Sequence, residues 1–410
     1  MLRRILSRVI SVGSLELIGA DGHKEIYGNG TEPKVTLKIQ KPSVEWTVLI
    51  NPLLKFPEAV MEGNITVEQG SIRDLMCLLM SNDQEIKTDP LIKTVNRLLR
   101  QGPSLRQFNP LQRARKNVAH HYDLSGRLYD LFLDPDKQYS CAYFRTPDTS
   151  LENAQVDKKR HIASKLLLEQ SDLEVLDIGS GWGGMGLYLA QEASSRVTGV
   201  TLSVEQHKIS QERAREAGLE DRCRFDLRDY RDETRSFDRI VSVGMFEHVG
   251  KKNYDEFFAK IGDLMTDDGV CLLHSIGNFD EPAPTNPFIR KYIFPGGDVP
   301  SLSEVTAAVE RAGLFITDIE ILRLHYAETL RHWHQRFLEK REEAKALYDE
   351  RFCRMWELYL TGCEMSFRYQ GLMVFQMQIS KRLETVPLTR DYMVDWERAH
   401  STDAQAQAAE

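Results

Sequence analysis

The run Glu174-Val-Leu-Asp-Ile-Gly-Ser-Gly-Trp-Gly-Gly184 constrains this chain more than any other. A short apolar strand pattern ends in a carboxylate, Asp177. It then breaks into a turn at Gly179, Gly181, Gly183 and Gly184, where glycine permits tight backbone and close approach of a ligand. Residues 185–190 read as the first turns of a helix, whose free N–H groups favour a carboxylate nearby. Gly179, Gly181 and Gly184 also satisfy the dinucleotide pattern G-x-G-x-x-G. Two details favour S-adenosylmethionine over a dinucleotide. Asp177 is placed to take an amino group, and the second strand ends in Gly199-Val-Thr-Leu-Ser203, without the acidic residue a ribose would need.

From about residue 153 onward, strand and helix patterns alternate, as in a doubly wound α/β fold. Strands are expected near 173–178, 196–200, 223–226, 237–243 and 270–274, with amphipathic helices at 204–217 and 254–264. Ligands of such sheets gather outside the carboxyl ends of the strands. Asp177, Glu247 and His274 fall at or just after strand ends and are expected to converge. Residues 1–85 read as a smaller α+β unit, with strands at 35–39, 46–50 and 65–68 and a helix from Ser71 to about Met80. A basic linker (86–118), a catalytic domain (119–395) and a polar tail (396–410) complete the expected organisation of the 410 residues.

Composition excludes several classes. The six cysteines are scattered without a C-x-x-C pair, which argues against a zinc site or disulfide framework and for a reducing compartment. No apolar run approaches the roughly 18 residues of a membrane span. Arg3, Arg4 and Arg8 precede a mildly apolar stretch that Glu16 interrupts; it reads as the first element of a cytoplasmic protein rather than a leader. The net charge of −8 disfavours nucleic acid. Yet residues 90–122 hold no acid while carrying Lys93, Arg97, Arg100, Arg106, Arg113, Arg115 and Lys116. That segment reads either as a solvated linker or as a contact with an anionic membrane surface.

The residues with chemical potential are ambiguous one at a time. Glu247 and His248 follow an apolar strand, where a buried carboxylate needs a partner or a proton-handling task; a helix cap would explain Glu247 as well. His274 alone reads as a core histidine, and Cys141 as a small buried hydrophobe. Their order along the chain says more. His121-Tyr-Asp-Leu-Ser125, Tyr139-Ser-Cys-Ala-Tyr-Phe144, the glycine turn, Gly199-Val-Thr-Leu-Ser203, Asp229-Tyr-Arg231, Gly244-Met-Phe-Glu-His-Val-Gly250 and Leu273-His-Ser-Ile276 follow one another. Lys291-Tyr-Ile-Phe-Pro295, Leu324-His-Tyr326, Arg354-Met-Trp-Glu357 and Cys363-Glu-Met-Ser-Phe-Arg368 come later. This series resembles the cyclopropane-fatty-acyl-phospholipid synthase family, with the mycolic acid methyltransferases as relatives, from about residue 119 to 378. Leu54-Lys-Phe-Pro-Glu-Ala-Val-Met-Glu-Gly63 resembles the accessory domain of its longer bacterial members. Ser180 departs from the cysteine of many relatives and is equally small.

The resemblance implies a class I S-adenosylmethionine-dependent methyltransferase fold. It places the cofactor against Tyr139, Ser140, Asp177, Gly179, Gly181, Gly183, Thr201, Leu202 and Gln206, with Asp229 and Tyr230 near the adenine. It implies a bicarbonate held by Cys141, Glu247, His274, Ile276 and Tyr326, with Cys141 and Ile276 giving backbone N–H groups. The implied reaction adds a methylene to the double bond of an unsaturated acyl chain in a membrane phospholipid. A carbocation would form and be deprotonated by bicarbonate to close a cyclopropane; a methyl-branched alkene is the alternative product. Tyr139, Tyr143, Phe144, Tyr292 and Phe294 are candidates to face the cation. The implied setting is cytoplasmic, peripheral to the inner face of the membrane, with no metal, and the resemblance suggests a homodimer. Two other readings compete: a methyltransferase for a small soluble amine or hydroxyl, and a lipid-binding scaffold that keeps the cofactor only for structure.

Overall fold

The computed structural model describes residues 2–89 and 126–401. The basic segment 90–122, the His121–Ser125 motif and all but the start of the polar tail lie outside the described residues. By internal packing the chain divides into two units: residues 1–106, 285–295 and 330–372, and residues 107–284, 296–329 and 373–410.

In the first unit, a helix at Leu2–Val9 precedes strands β1 (Ser14–Ile18), β2 (Lys24–Gly28), β3 (Lys34–Ile39) and β4 (Ile65–Gln69), in sheet order β2-β1-β3-β4. The helix Ile72–Ser81 starts at a reciprocal cap: Asp74 N–H donates to Ser71 Oγ at 3.0 Å and Ser71 N–H donates to Asp74 Oδ2 at 2.9 Å. One sequence expectation fails here. Residues 46–50 are not a strand but the end of a helix, Pro42–Ile50. Pro42 sits in the first turn, where its fixed φ suits a helix, and the buried Val44 and Val48 lie four residues apart on one face. The β-branched run looked extended because its helical spacing spans only two turns. The helix Glu350–Tyr369 also belongs to this unit. Its fully buried Glu364 takes a bidentate bond from Arg73 (2.9 and 2.7 Å) and one from Arg368 at 2.9 Å, so the buried carboxylate is well paired.

The second unit holds β5 (Glu174–Ile178), β6 (Arg196–Thr201), β7 (Cys223–Leu227), β8 (Phe237–Val243), β9 (Met265–Asn278), β10 (Phe315–Ile321) and β11 (Leu372–Ser380). They form a seven-stranded sheet in the order β10-β11-β9-β8-β5-β6-β7. The pairs β5–β6, β6–β7, β5–β8 and β8–β9 are parallel, while β10–β11 is antiparallel. Apolar clusters fill both faces. One contains Phe246, Phe257, Phe258 and Ile261; the other contains Ile162, Leu189, Val197 and Phe225. This is the expected doubly wound α/β fold, and the first five strands fall where periodicity predicts them. Strands β10 and β11 carry no such expectation.

Candidate active site

The turn after β5 puts Gly179, Gly181 and Gly183 at φ of +81°, +54° and +85°. A Cβ at Gly179 would stand 2.7 Å from the Met245 side chain, and one at Gly183 2.7 Å from Phe225. Around Gly181 there is open space, so the main chain is bare there to an approaching ligand. The Gly179 and Ser180 N–H groups donate to Val200 O at 2.9 and 3.0 Å, tying the turn to β6. Asp177 is buried at the strand end. Burial pushes its carboxyl up to about 7, against the Gly186 N–H bond and the charge of Lys158. Its Oδ2 has no hydrogen-bond partner among the described residues. A buried carboxylate oxygen left open is costly, and an ammonium group such as that of a methionine moiety would satisfy it.

Beyond β6, Thr201 Oγ1 donates to Gln206 Oε1 at 3.0 Å and accepts from Ser203 N–H at 3.2 Å, while Ser203 Oγ caps the helix Val204–Glu216. Leu202 is half-buried between them. Asp229 is held by Arg231, which donates from Nε at 2.9 Å and Nη2 at 2.8 Å. The Tyr230 ring meets Phe257 edge-on at 5.6 Å.

Tyr139 stands edge-on to Tyr129 at 5.2 Å. Ser140 Oγ accepts from Lys158 Nζ at 2.8 Å, and Lys158 also donates to Gln138 Oε1 at 2.5 Å. Lys158 is buried, and burial lowers it to about 8. Its charge acts on Asp177, Cys141 and His274 alike. Cys141 is buried, which pushes its thiol up, and it is too inert to be a nucleophile. Ala142 N–H donates to Thr329 Oγ1 at 3.0 Å and Phe144 N–H to His325 Nδ1 at 3.0 Å. The Cys141–Phe144 stretch is thus tied to the first turn of the helix His325–Glu339, which carries the buried Tyr326.

The β8–β9 pairing sets the backbone after β8, which leads to Glu247, beside the β9 segment that carries His274. Val243 is opposite His274, and Gly244 N–H donates to His274 O at 2.9 Å. Glu247 lies on a single helical turn, Phe246–His248, and accepts the Ile276 N–H at 2.7 Å. The Ile276 amide is therefore engaged with the carboxylate. Burial pushes Glu247 up to about 7, and its Oε2 has no partner among the described residues. His248 is lowered to about 4 by burial. His274 lies well below the usual histidine range because of burial and the nearby Lys158 and Lys165.

The aromatic candidates separate. Tyr143 is stacked between His161 at 4.1 Å and His325 at 4.7 Å, so both ring faces are taken and neither is open to a cation. Tyr292 and Phe294 belong to the other unit, where Lys291 and Arg351 already lie over Tyr292 at 4.8 and 5.7 Å. Sequence reasoning missed the helix Leu151–Ser164, whose Gln155, Asp157, Lys158, Lys159, Arg160 and His161 are all buried. Its charged run looks like a solvated face. It also missed Gln376, hidden in an apolar strand, whose Nε2 lies 3.1 Å from His274 Nδ1.

The sheet order, the glycine turn and the open acidic oxygen of Asp177 together define an S-adenosylmethionine-dependent methyltransferase of class I. Residues 109–377 match the family described as mycolic acid cyclopropane synthetase, and residues 1–90 match a domain of unknown function. The chain belongs to the mycolic acid cyclopropane synthetase family. It is 34% identical to a probable fatty acid methyltransferase of Pseudomonas putida, over 91% of this chain and 94% of that one. It is 42% identical to the cyclopropane-fatty-acyl-phospholipid synthase of Escherichia coli (strain K12), over 68% of this chain and 72% of that one. A solved mycolic acid cyclopropane synthase bound to S-adenosylhomocysteine superposes with a TM-score of 0.62 at 34% identity, over 67% of this chain and 99% of that one.

Proposed function

We propose that this enzyme adds a methylene from S-adenosylmethionine to the double bond of unsaturated acyl chains in membrane phospholipids and closes a cyclopropane. The observation that carries this reading is the buried Glu247, with one open oxygen, bonded to the Ile276 amide two residues along β9 from the buried His274. The named activities of the E. coli and P. putida relatives supply the acyl substrate. An alkene is a weak nucleophile, and its attack on the sulfonium methyl leaves a positive carbon that water would quench. A closed, apolar site with a proton acceptor but no permanent exposed charge suits that chemistry. Bicarbonate, when bound, would supply that acceptor. Glu247 Oε2 can accept its hydroxyl hydrogen, and His274 and Tyr326 can donate to its other oxygens. The Cys141 amide completes the expected set, while Ile276 serves by orienting Glu247.

Purified protein incubated with S-adenosylmethionine and monounsaturated phospholipid vesicles should yield acyl chains heavier by one methylene, read by mass spectrometry. Ozonolysis then separates ring from methyl-branched alkene. The latter is the second reading, favoured by the name of the P. putida relative. No gain of mass, with cofactor binding intact, would reject both in favour of a soluble acceptor.

The domains expected at 1–85 and 119–395 carry the roles of membrane contact and catalysis in this reading. Within the first, Trp46, Ile50 and Leu53 are 64%, 69% and 50% exposed, the first midway along the helix Pro42–Ile50 and the other two where it passes into the helix Pro52–Met61. Three large exposed apolar groups within eight residues of chain offer a candidate contact surface, and in this reading the inner membrane face is what it meets. Replacing any one of them by serine should weaken binding to anionic vesicles by roughly tenfold or more, because each buried side chain contributes about 1.5–3 kcal/mol. Unchanged vesicle sedimentation would remove this surface from the reading.

A further inference from the structure

We infer that Lys165 and Gln376 are positioning residues that hold His274 as a neutral imidazole with its proton on Nε2. His274 then enters the reaction as a hydrogen-bond donor and not as the group that takes the proton. The chemical part rests on the proposed function above; the assignment of the proton does not.

The argument follows a buried chain of hydrogen bonds, each with one allowed direction. Glu320 on β10 sits between two basic groups, His161 Nε2 at 2.6 Å and the Lys165 ammonium. Burial works against its ionisation, yet the His161 bond and the charges of His161 and Lys165 prevail and hold it well below the usual carboxylate range. Burial lowers the Lys165 ammonium, against the charge and hydrogen bond of Glu320; ion-paired with that carboxylate, its Nζ acts as a donor. A second N–H of Lys165 reaches Gln376 Oε1 at 2.5 Å. That contact settles which end of the amide is which, a choice otherwise ambiguous for glutamine. The amide nitrogen therefore points the other way, to His274 Nδ1 at 3.1 Å. An amide NH2 can only donate, so Nδ1 must present its lone pair and the ring proton resides on Nε2.

The geometry gives this chain little freedom. Gln376 is fully buried on β11, next to β9, which carries His274. Lys165 caps the end of the helix Leu151–Ser164 and is almost wholly buried. Besides Lys165, Lys158 and His161 act on His274 to disfavour its protonation, with Glu320 opposing. Protonating His274 at Nδ1 would set N–H against N–H with Gln376, and would add a cation near Lys158 and Lys165. As a donor from Nε2 the ring can orient an oxyanion. It can accept a proton only by giving up the bond to Gln376. The acceptor must then be Glu247 or the anion it holds, which agrees with the open Glu247 Oε2.

Nitrogen-15 NMR of the full chain labelled at histidine tests this, with His274 assigned by its loss in His274→Ala. Wild-type protein should show a pyridine-type Nδ1 and a pyrrole-type Nε2 at neutral pH. A pyrrole-type Nδ1, or a doubly protonated ring, would overturn the proposal whatever the activity. Gln376→Glu places an acceptor at Nδ1 and should move the proton there. With S-adenosylmethionine affinity unchanged, kcat should fall about 10- to 100-fold, the usual cost of losing a ligand-orienting partner. A moved proton with unchanged kcat would refute the donor role. Lys165→Arg, which keeps a donor to Gln376, should retain the wild-type spectrum, whereas Lys165→Met should not. If the wild-type spectrum is as expected but no lipid product forms, it is the proposed function that fails and not the proton assignment.

Discussion

Replacing Glu247 by glutamine is expected to lower product formation by roughly 10²- to 10⁴-fold, the range spanned by a lost proton-transfer group, while making the protein more heat-stable at and above pH 7. The two effects share one cause. The carboxyl is buried and raised to about 7, whereas an unfolded glutamate titrates near its ordinary 4.5. Between those values the unfolded chain has released its proton and the folded one has not. Rising pH therefore stabilises the unfolded state, and stability declines from about pH 4.5 to about 7 before levelling. Each unit of difference is worth about 1.4 kcal/mol, so the decline is of the order of a few kcal/mol. Glutamine does not titrate, and its oxygen can still accept the Ile276 N–H. Thermal melts of both proteins across pH should coincide near pH 4 and diverge by pH 7. Parallel curves, or a variant that still makes product, would remove Glu247 from its assigned role.

The Asp177→Asn change should weaken S-adenosylmethionine binding by about 10- to 100-fold and flatten its pH dependence. A hydrogen bond to a charged group is worth about 1.5–3 kcal/mol, and the open Oδ2 of Asp177 is the oxygen positioned to make one. Below about pH 7 the carboxyl of the free enzyme holds a proton. An arriving ammonium must displace it, so wild-type affinity should rise with pH up to about 7 and then level. Calorimetric titrations in two buffers of different ionisation enthalpy would reveal the released proton. An equal proton release in the asparagine variant would place the titrating group elsewhere.

The α/β core was legible because strand and helix periods alternate plainly from 174 to 274, and because the glycines at 179, 181 and 183 are demanded by left-handed backbone. The site was legible in part. Glu247 was expected just after β8 and His274 at the end of the next strand; β8 and β9 are indeed neighbours, but β9 runs on past His274 to Asn278. The reach of Tyr143 toward a cation was not legible, since only the fold reveals the two imidazoles stacked on its faces. The helix Pro42–Ile50 misled because Val44, Thr47, Val48 and Ile50 favour strands individually, and tertiary packing overrode that preference. Lys158, Lys165 and Gln376 were hidden for the opposite reason. Charged residues on a helix ordinarily face water, and nothing local distinguishes a lysine that will be buried over a carboxylate from one that will not.

The place of β11 has a consequence for how the enzyme comes into being. This strand lies between β9 and β10 and carries Gln376 to His274, yet it is made almost 200 residues after the glycine turn. While a nascent chain still lacks it, β9 and β10 each expose a row of unpaired backbone groups, the kind of edge that recruits stray strands from other molecules. The cofactor turn can form early, but His274 gains its partner only when the final strand slides home. A ribosome stalled before residue 372 would thus leave a chain able to fold much of its cofactor pocket, inactive in chemistry and prone to aggregate. Quality control of this protein is therefore set at its last strand.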